Sequence, residues 1–218
     1  MIPPSLLLAA ETSSSLWSMI KQGGWAMYPL ALASLALIYL FIYCLRETRE
    51  KEFGTHSLSE RIAALLQQGN TASALAAAHS DASALGRVLA NALPKLDPKC
   101  PAESKESFEN EVAESLELEE NSIAQWIHYL SVIANVAPMI GLLGTVSGMI
   151  GGFQTMATGG MGRPELFAGD IGEALITTAT GLCIGIPAMI AHSYFSNRLN
   201  TLVVETSRRA NQAGDGLL

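Results

Sequence analysis

The chain has 218 residues, a net charge of −7 and a pI near 5.1. Hydrophobic residues make up 49% and charged residues only 15%, against roughly 25% charged in an ordinary soluble domain. Residues 22–45, 121–162 and 174–197 contain no Asp, Glu, Lys or Arg. A bilayer-spanning helix needs about 20 predominantly apolar residues, so three such stretches argue against a soluble globular protein. The acidic balance, with no basic cluster, argues against nucleic acid as a partner. Cys44, Cys100 and Cys183 share no close spacing, and His56, His79, His128 and His192 are equally scattered. Neither a metal site, a disulfide framework nor a cofactor is indicated. No nucleophile–base constellation points to an enzyme.

Taken in chain order, residues 1–24 read as an extracytoplasmic N-terminal segment. The run Leu6–Ala10 is too short to span and lacks a basic n-region, so an unstructured terminus is favoured over the tail of a signal peptide. Leu16, Trp17, Met19 and Ile20 suggest a short interfacial helix, broken at Gly23-Gly24. The first transmembrane helix is expected over 25–45, with Trp25 and Tyr28 at one end and Tyr43 at the other, as aromatics favour membrane interfaces. Its large Leu, Ile, Tyr and Phe side chains suit lipid. Arg46, Arg49, Lys51 and Arg61 follow it, whereas only Lys21 precedes it. The positive-inside rule then places the N-terminus outside and residue 46 onward in the cytoplasm.

Residues 46–125 read as a cytoplasmic helical region. A helix capped by Ser59 is expected to end at Gly69-Asn70. An Ala-rich helix follows over 71–78, then an amphipathic one over 82–93, closed by Pro94. Pro94, Pro98 and Pro101 mark a loop. From Ala102 a helical pattern runs on. Its first part carries eight glutamates (103, 106, 109, 111, 114, 117, 119 and 120) and one base, Lys105. Its second part, 126–157, is the second transmembrane helix. The charge-free run 121–162 would cover about 63 Å as helix, more than the roughly 30 Å hydrocarbon core, so part of it packs on protein beyond the membrane. Residues 158–170 are expected to form an extracytoplasmic turn. The third transmembrane helix is placed at 171–195, and 196–218 as a cytoplasmic C-terminal helix and tail. No alternating strand pattern occurs. The fold class is therefore an all-α membrane protein with three transmembrane helices and long cytoplasmic helical extensions.

The second and third spans differ from the first in their small and polar residues. Gly141, Thr145, Gly148 and Gly152 recur on one face, and Gly144 lies on an overlapping stripe. Pro138 precedes them; Gly181 and Pro187 lie in the third span. Small residues let transmembrane helices approach closely, so this set reads as helix packing. Thr177, Thr178 and Thr180 fall within one turn. Each hydroxyl can bond back to its own helix, or the cluster can line a hydrated path. In an antiparallel hairpin turning near residue 162, Thr145 and Thr178 lie at similar depth. Glu173 is the one carboxylate followed directly by apolar sequence. It reads either as a pathway acid or as a charge at a helix N-terminus. The same register sets Arg208 and Arg209 beside Glu114 and Glu117, pairing the acidic run; the other reading is a solvated face.

The segment Ala137-Pro138-Met139-Ile140-Gly141-Leu142-Leu143-Gly144-Thr145-Val146-Ser147-Gly148 resembles the second span of the ExbB/TolQ/MotA proton-channel family. Glu173 to Gly181, with Ile186-Pro187-Ala188, resembles its third span. Lys21 to Leu30 is similar to the entry of the first span in ExbB-type members. Three spans and a modest cytoplasmic region resemble the ExbB/TolQ branch rather than the four-span stators. The resemblance implies an inner-membrane subunit of a homopentameric helical pore around a single-span partner of ExbD or TolR type, whose transmembrane Asp carries the proton. It implies that Thr145, Thr178 and Glu173 line the pore, with Thr177 beside them, and that a TonB-like protein receives the energy. Thr177 and Asp170 depart from the common family pattern, in which Ala and small residues are frequent.

Overall fold

The computed structural model describes residues 24–49, 53–54, 56–96, 101–159 and 164–215. The apolar run Leu6–Ala10, the interfacial helix expected around Trp17 and the tip of the turn expected between the second and third spans lie outside the described residues. Among those described, all regular structure is helical: α1 (Met27–Glu47), α2 (His56–Gln67), α3 (Thr71–Ser80), α4 (Ala84–Ala92), a 3₁₀ turn (Leu93–Lys95), α5 (Pro101–Gly159) and α6 (Pro164–Gly214). Three of these helices are long and apolar enough to cross a membrane: α1, the Glu103–Gln154 part of α5 and the Gly169–Gly214 part of α6.

Both long helices begin on a proline, whose fixed φ suits the first helical position and whose missing N–H would have no partner there. This is why residues 164–170, expected in the turn, are instead the first turns of α6. Each long helix also carries an internal proline, Pro138 in α5 and Pro187 in α6. An internal proline removes one helical hydrogen bond; neither stops its helix.

The chain divides into two compact units. The first joins the residues up to Leu40 with Tyr129–Ala191. Its apolar centre is small: Met27, Leu30, Ala137 and Ile184, with Leu37, Ile133, Ile140 and Ile176 against them. The rest of its contact is a seam of glycines between α5 and α6. Much of its surface is large and apolar, including Leu32, Leu35, Leu142, Phe153, Leu175 and Ile190. Such a surface fits lipid or further protein and does not fit water.

The second unit joins Phe41–His128 with His192–Leu218. Helices α2, α3 and α4 close an aliphatic core with α5 and α6. Ile62, Leu66, Leu85, Val88, Leu89, Phe108 and Val112 are buried in it. Local chemistry sets the helix ends. Gly69 turns the chain at φ +71. Asn70 caps α3 by accepting from the Ser73 N–H at 3.1 Å. Ser83 caps α4 by accepting from the Gly86 N–H at 3.2 Å. Ser59 is not a cap: α2 starts at His56, and the Ser59 hydroxyl donates to the His56 carbonyl. Pro94 does not close α4 abruptly, because the chain continues through it as the 3₁₀ turn.

Arg208 lines one groove with Glu117 and Glu120, as the hairpin register expects, and the acidic face of α5 also finds partners that were not expected. Arg87 of α4 donates two hydrogen bonds to the Glu119 carboxylate, at 2.6 and 2.7 Å. Lys95 reaches Glu111 at 3.4 Å and Lys105 reaches Asp215 at 2.7 Å. Arg209 donates to the Gly54 carbonyl and to Glu205 of its own helix, not to Glu114 or Glu117.

Candidate functional site

The site is built in the first unit, where α5 and α6 approach too closely for side chains. A Cβ on Gly141 would lie 2.8 Å from the Thr177 carbonyl oxygen and 3.0 Å from the Thr178 Cα. One on Gly181 would lie 2.6 Å from the Ala137 carbonyl oxygen. Gly148 faces Ala174, and Gly144 faces both Thr177 and Ala26 at the entry of α1. Glycine is required where backbones meet at this distance. Pro138 packs its ring on Gly185, whose added Cβ would overlap the ring. Gly152 is buried, whereas Pro187 is exposed and takes no part in this seam.

The close approach converts the threonines into interhelical donors. The Thr178 hydroxyl donates to the Gly141 carbonyl at 3.0 Å. Thr177 is only 2% exposed. Its hydroxyl donates to the Ala174 carbonyl at 2.7 Å and lies 3.2 Å from the Gly141 carbonyl. Thr145 and Thr180 bond back to Leu142 and Ile176 within their own helices. Thr145 and Thr180 thus follow the back-bonding reading, Thr178 bonds across to α5, and Thr177 does both. Thr178 sits opposite Gly141, one turn from Thr145, so the two lie at similar but not equal height along the seam.

Above Thr177 along α6 lies a cavity of about 240 Å³, whose walls include Trp25, Ser147, Asp170, Glu173 and Thr177. Asp170 and Glu173 share one face because they are three residues apart on a helix. The Trp25 indole N–H donates to the Ser147 hydroxyl at 3.2 Å, tying the α1 entry to α5. Gly24, at φ +60, lies directly on the Glu173 carboxylate. The arrangement offers two carboxylates and hydroxyls at one end of an apolar seam, a setting suited to accepting and passing a small cation. Of the four expected polar residues, Glu173 and Thr177 share the cavity, while Thr178 and Thr145 lie further along the seam. Trp25 and Ser147 were not expected there. Trp25 carries only the signature of an interfacial aromatic, and a lone serine among glycines gives no signal of a bond to a residue so distant in sequence. Among the described residues, no group of three or more His, Cys, Asp or Glu is placed to hold a metal.

Comparison with known proteins gives one family match. The model of the MotA/TolQ/ExbB proton channel family covers residues 79–208. The ExbB-like 1 biopolymer transport protein of Synechocystis sp. is 31% identical over 195 residues, which is 86% of this chain and 72% of that protein. The biopolymer transport protein ExbB of Xanthomonas campestris pv. campestris (strain B100) is 41% identical over 75 residues, 34% of this chain and 29% of that protein. The Tol-Pal system protein TolQ of Haemophilus influenzae is 37% identical over 81 residues, 37% of this chain and 36% of that protein. The chain thus matches only about a third of the length of these last two relatives.

Proposed function

Because this chain belongs to the MotA/TolQ/ExbB proton channel family, we propose that it is a proton-channel subunit of an ExbB–ExbD-type motor in the bacterial inner membrane. It converts proton motive force into mechanical work, which a TonB-like protein carries to outer-membrane transport. The observation that carries this reading is the polar line in the α5–α6 seam. Residues 129–159 and 174–191 contain no Asp, Glu, Lys, Arg or His, yet Glu173 and Thr177 line one cavity and Thr178 bonds across the seam to Gly141, one turn from Thr145. One elementary charge crossing the membrane gains about 2.3 kcal/mol per 100 mV. A channel wall without a mid-span acid needs an ionisable group from elsewhere, and an ExbD/TolR-type single-span partner with an Asp in its span supplies one. Thr178 and Thr145 line the path, Glu173 stands at its outer end, and the glycines form a close-packed wall. The exposed apolar faces of α5 and α6 meet further copies in a homopentamer, while α1 faces lipid. The N-terminus is periplasmic, and residues 46–125 and 196–218 are cytoplasmic.

An ExbB-type role is favoured because relatives matched over most of both chains are ExbB or ExbB-like. A TolQ-type role in envelope maintenance is the second reading, supported by the Haemophilus relative. The test is proton-dependent work in cells. Thr178→Val and Glu173→Ala are expected to reduce it strongly at unchanged protein level and assembly. Full activity in both variants contradicts the channel assignment and leaves a non-conducting scaffold, for which only the glycine seam would matter.

A further inference from the structure

The residues just before α1 hold an unusual position. Gly24 has φ +60, a left-handed conformation that side-chain-bearing residues rarely adopt. A Cβ added there would overlap the Glu173 Oε1 atom and lie 3.2 Å from its carboxyl carbon. The turn is fixed on both sides. The Met27 N–H closes on the Gly24 carbonyl at 3.3 Å. Next to Gly24, the Trp25 indole is bonded to Ser147 of α5. Ala26, 1% exposed, seats against Gly144. Three consecutive residues thus each meet a different part of the cavity: Glu173 on α6, then Ser147 and Gly144 on α5. Apart from Glu173, the titratable group lining this cavity is Asp170, on the preceding turn of the same helix; the lining from α1 and α5 carries none.

We propose that the Gly24–Trp25–Ala26 turn is a positioning element for the Glu173 carboxylate. It forms a lid over the outer end of the polar seam that only glycine at position 24 allows. This rests on the reading of Glu173 as the outer acid of the proton path and adds the device that places it. Gly24 and Trp25 act through Glu173; neither is assigned contact with the transported ion.

The experiment compares full-length variants in native membranes. Dicyclohexylcarbodiimide, a carboxyl-directed apolar reagent, is applied, and labelling of Glu173 relative to Asp170 is read by fragment mass spectrometry. Gly24→Ala displaces the carboxylate from beneath the turn, so the ratio is expected to rise several-fold. Partner-dependent proton flux is expected to fall about tenfold or more, up to the roughly 100-fold that a 1 Å misplacement can cost. Gly69→Ala is the control for backbone strain alone. Gly69 has φ +71 with nothing within 4 Å of an added Cβ, and the variant should change neither readout. An unchanged or lower labelling ratio in Gly24→Ala, or a rise without loss of flux, overturns the proposal. If Gly24→Ala does not accumulate, Trp25→Phe, which removes the bond to Ser147, is judged by the same two criteria. Glu173→Gln separates the two claims. Full flux in that variant removes Glu173 from the proton path. Lost flux there, beside unchanged labelling in Gly24→Ala, removes the positioning role alone.

Discussion

The two units of this chain are held by different physics. In the second, Ile62, Leu66, Leu85, Val88 and Leu89 are fully or almost fully buried, and stability comes from withdrawing aliphatic surface from water at about 25 cal/mol per Å². In the first, most large side chains face outward, and α5 and α6 meet through glycine, alanine and threonine. Lipid tails are as apolar as leucine, so burying leucine between membrane helices gains little; close packing and interhelical hydrogen bonds remain. A residue's size therefore has opposite value in the two units.

The sharpest way to break this contrast is to enlarge the seam. Gly141→Leu forces a side chain into the Thr177 backbone and is expected to cost about 3 kcal/mol or more, read as loss of the folded protein in detergent unfolding. Truncation in the other unit is next: Leu89→Ala should cost about 3 kcal/mol through cavity formation, whereas Leu35→Ala on the outward, lipid-facing side of α1 should stay within about 0.5 kcal/mol. Similar losses at Leu89 and Leu35 would refute the contrast. Thr178→Val removes one interhelical hydroxyl bond and should cost only about 0.6 kcal/mol of stability, so that stability and proton-driven work separate in one variant. Arg87→Ala, at a part-exposed ion pair, is expected to cost about 0.5 kcal/mol. Smallest is the Lys105–Asp215 pair. The hydrogen bond and charge of Asp215 hold the Lys105 ammonium above its ordinary 10.5. The stabilisation is thus fully present below pH 10.5 and lost as pH rises through the raised value, and Lys105→Gln should have the same slight effect at pH 7 and pH 9.

The helical class and the spans are legible in the sequence because charge-free runs have one physical explanation at this length. The seam is legible for the same kind of reason: Gly141, Gly144 and Gly148 are spaced along one side of α5, Gly181 lies opposite on α6, and glycine has few other uses there. What the sequence does not disclose depends on contacts between distant segments. Arg87 and Lys95 pair with the acidic face of α5 because α4 packs on it, which no spacing within α5 reveals. The bond from Trp25 to Ser147 spans 122 residues. Thr177 and Thr178 are adjacent in sequence and read alike, yet burial consumes the hydroxyl of one and a single carbonyl receives the other. The start of α6 at Pro164 was obscured by its glycine-rich approach, which weighs toward a turn until the proline is recognised as a first helical residue.

The most direct test of the central claim is proton flux into liposomes that contain this chain together with a single-span partner bearing one Asp in its span. The account predicts flux driven by an imposed potential, abolished by partner Asp→Asn and strongly reduced by Thr178→Val with the assembled complex intact. Equal flux through wild type and Thr178→Val, or undiminished flux with the Asn partner, would contradict it.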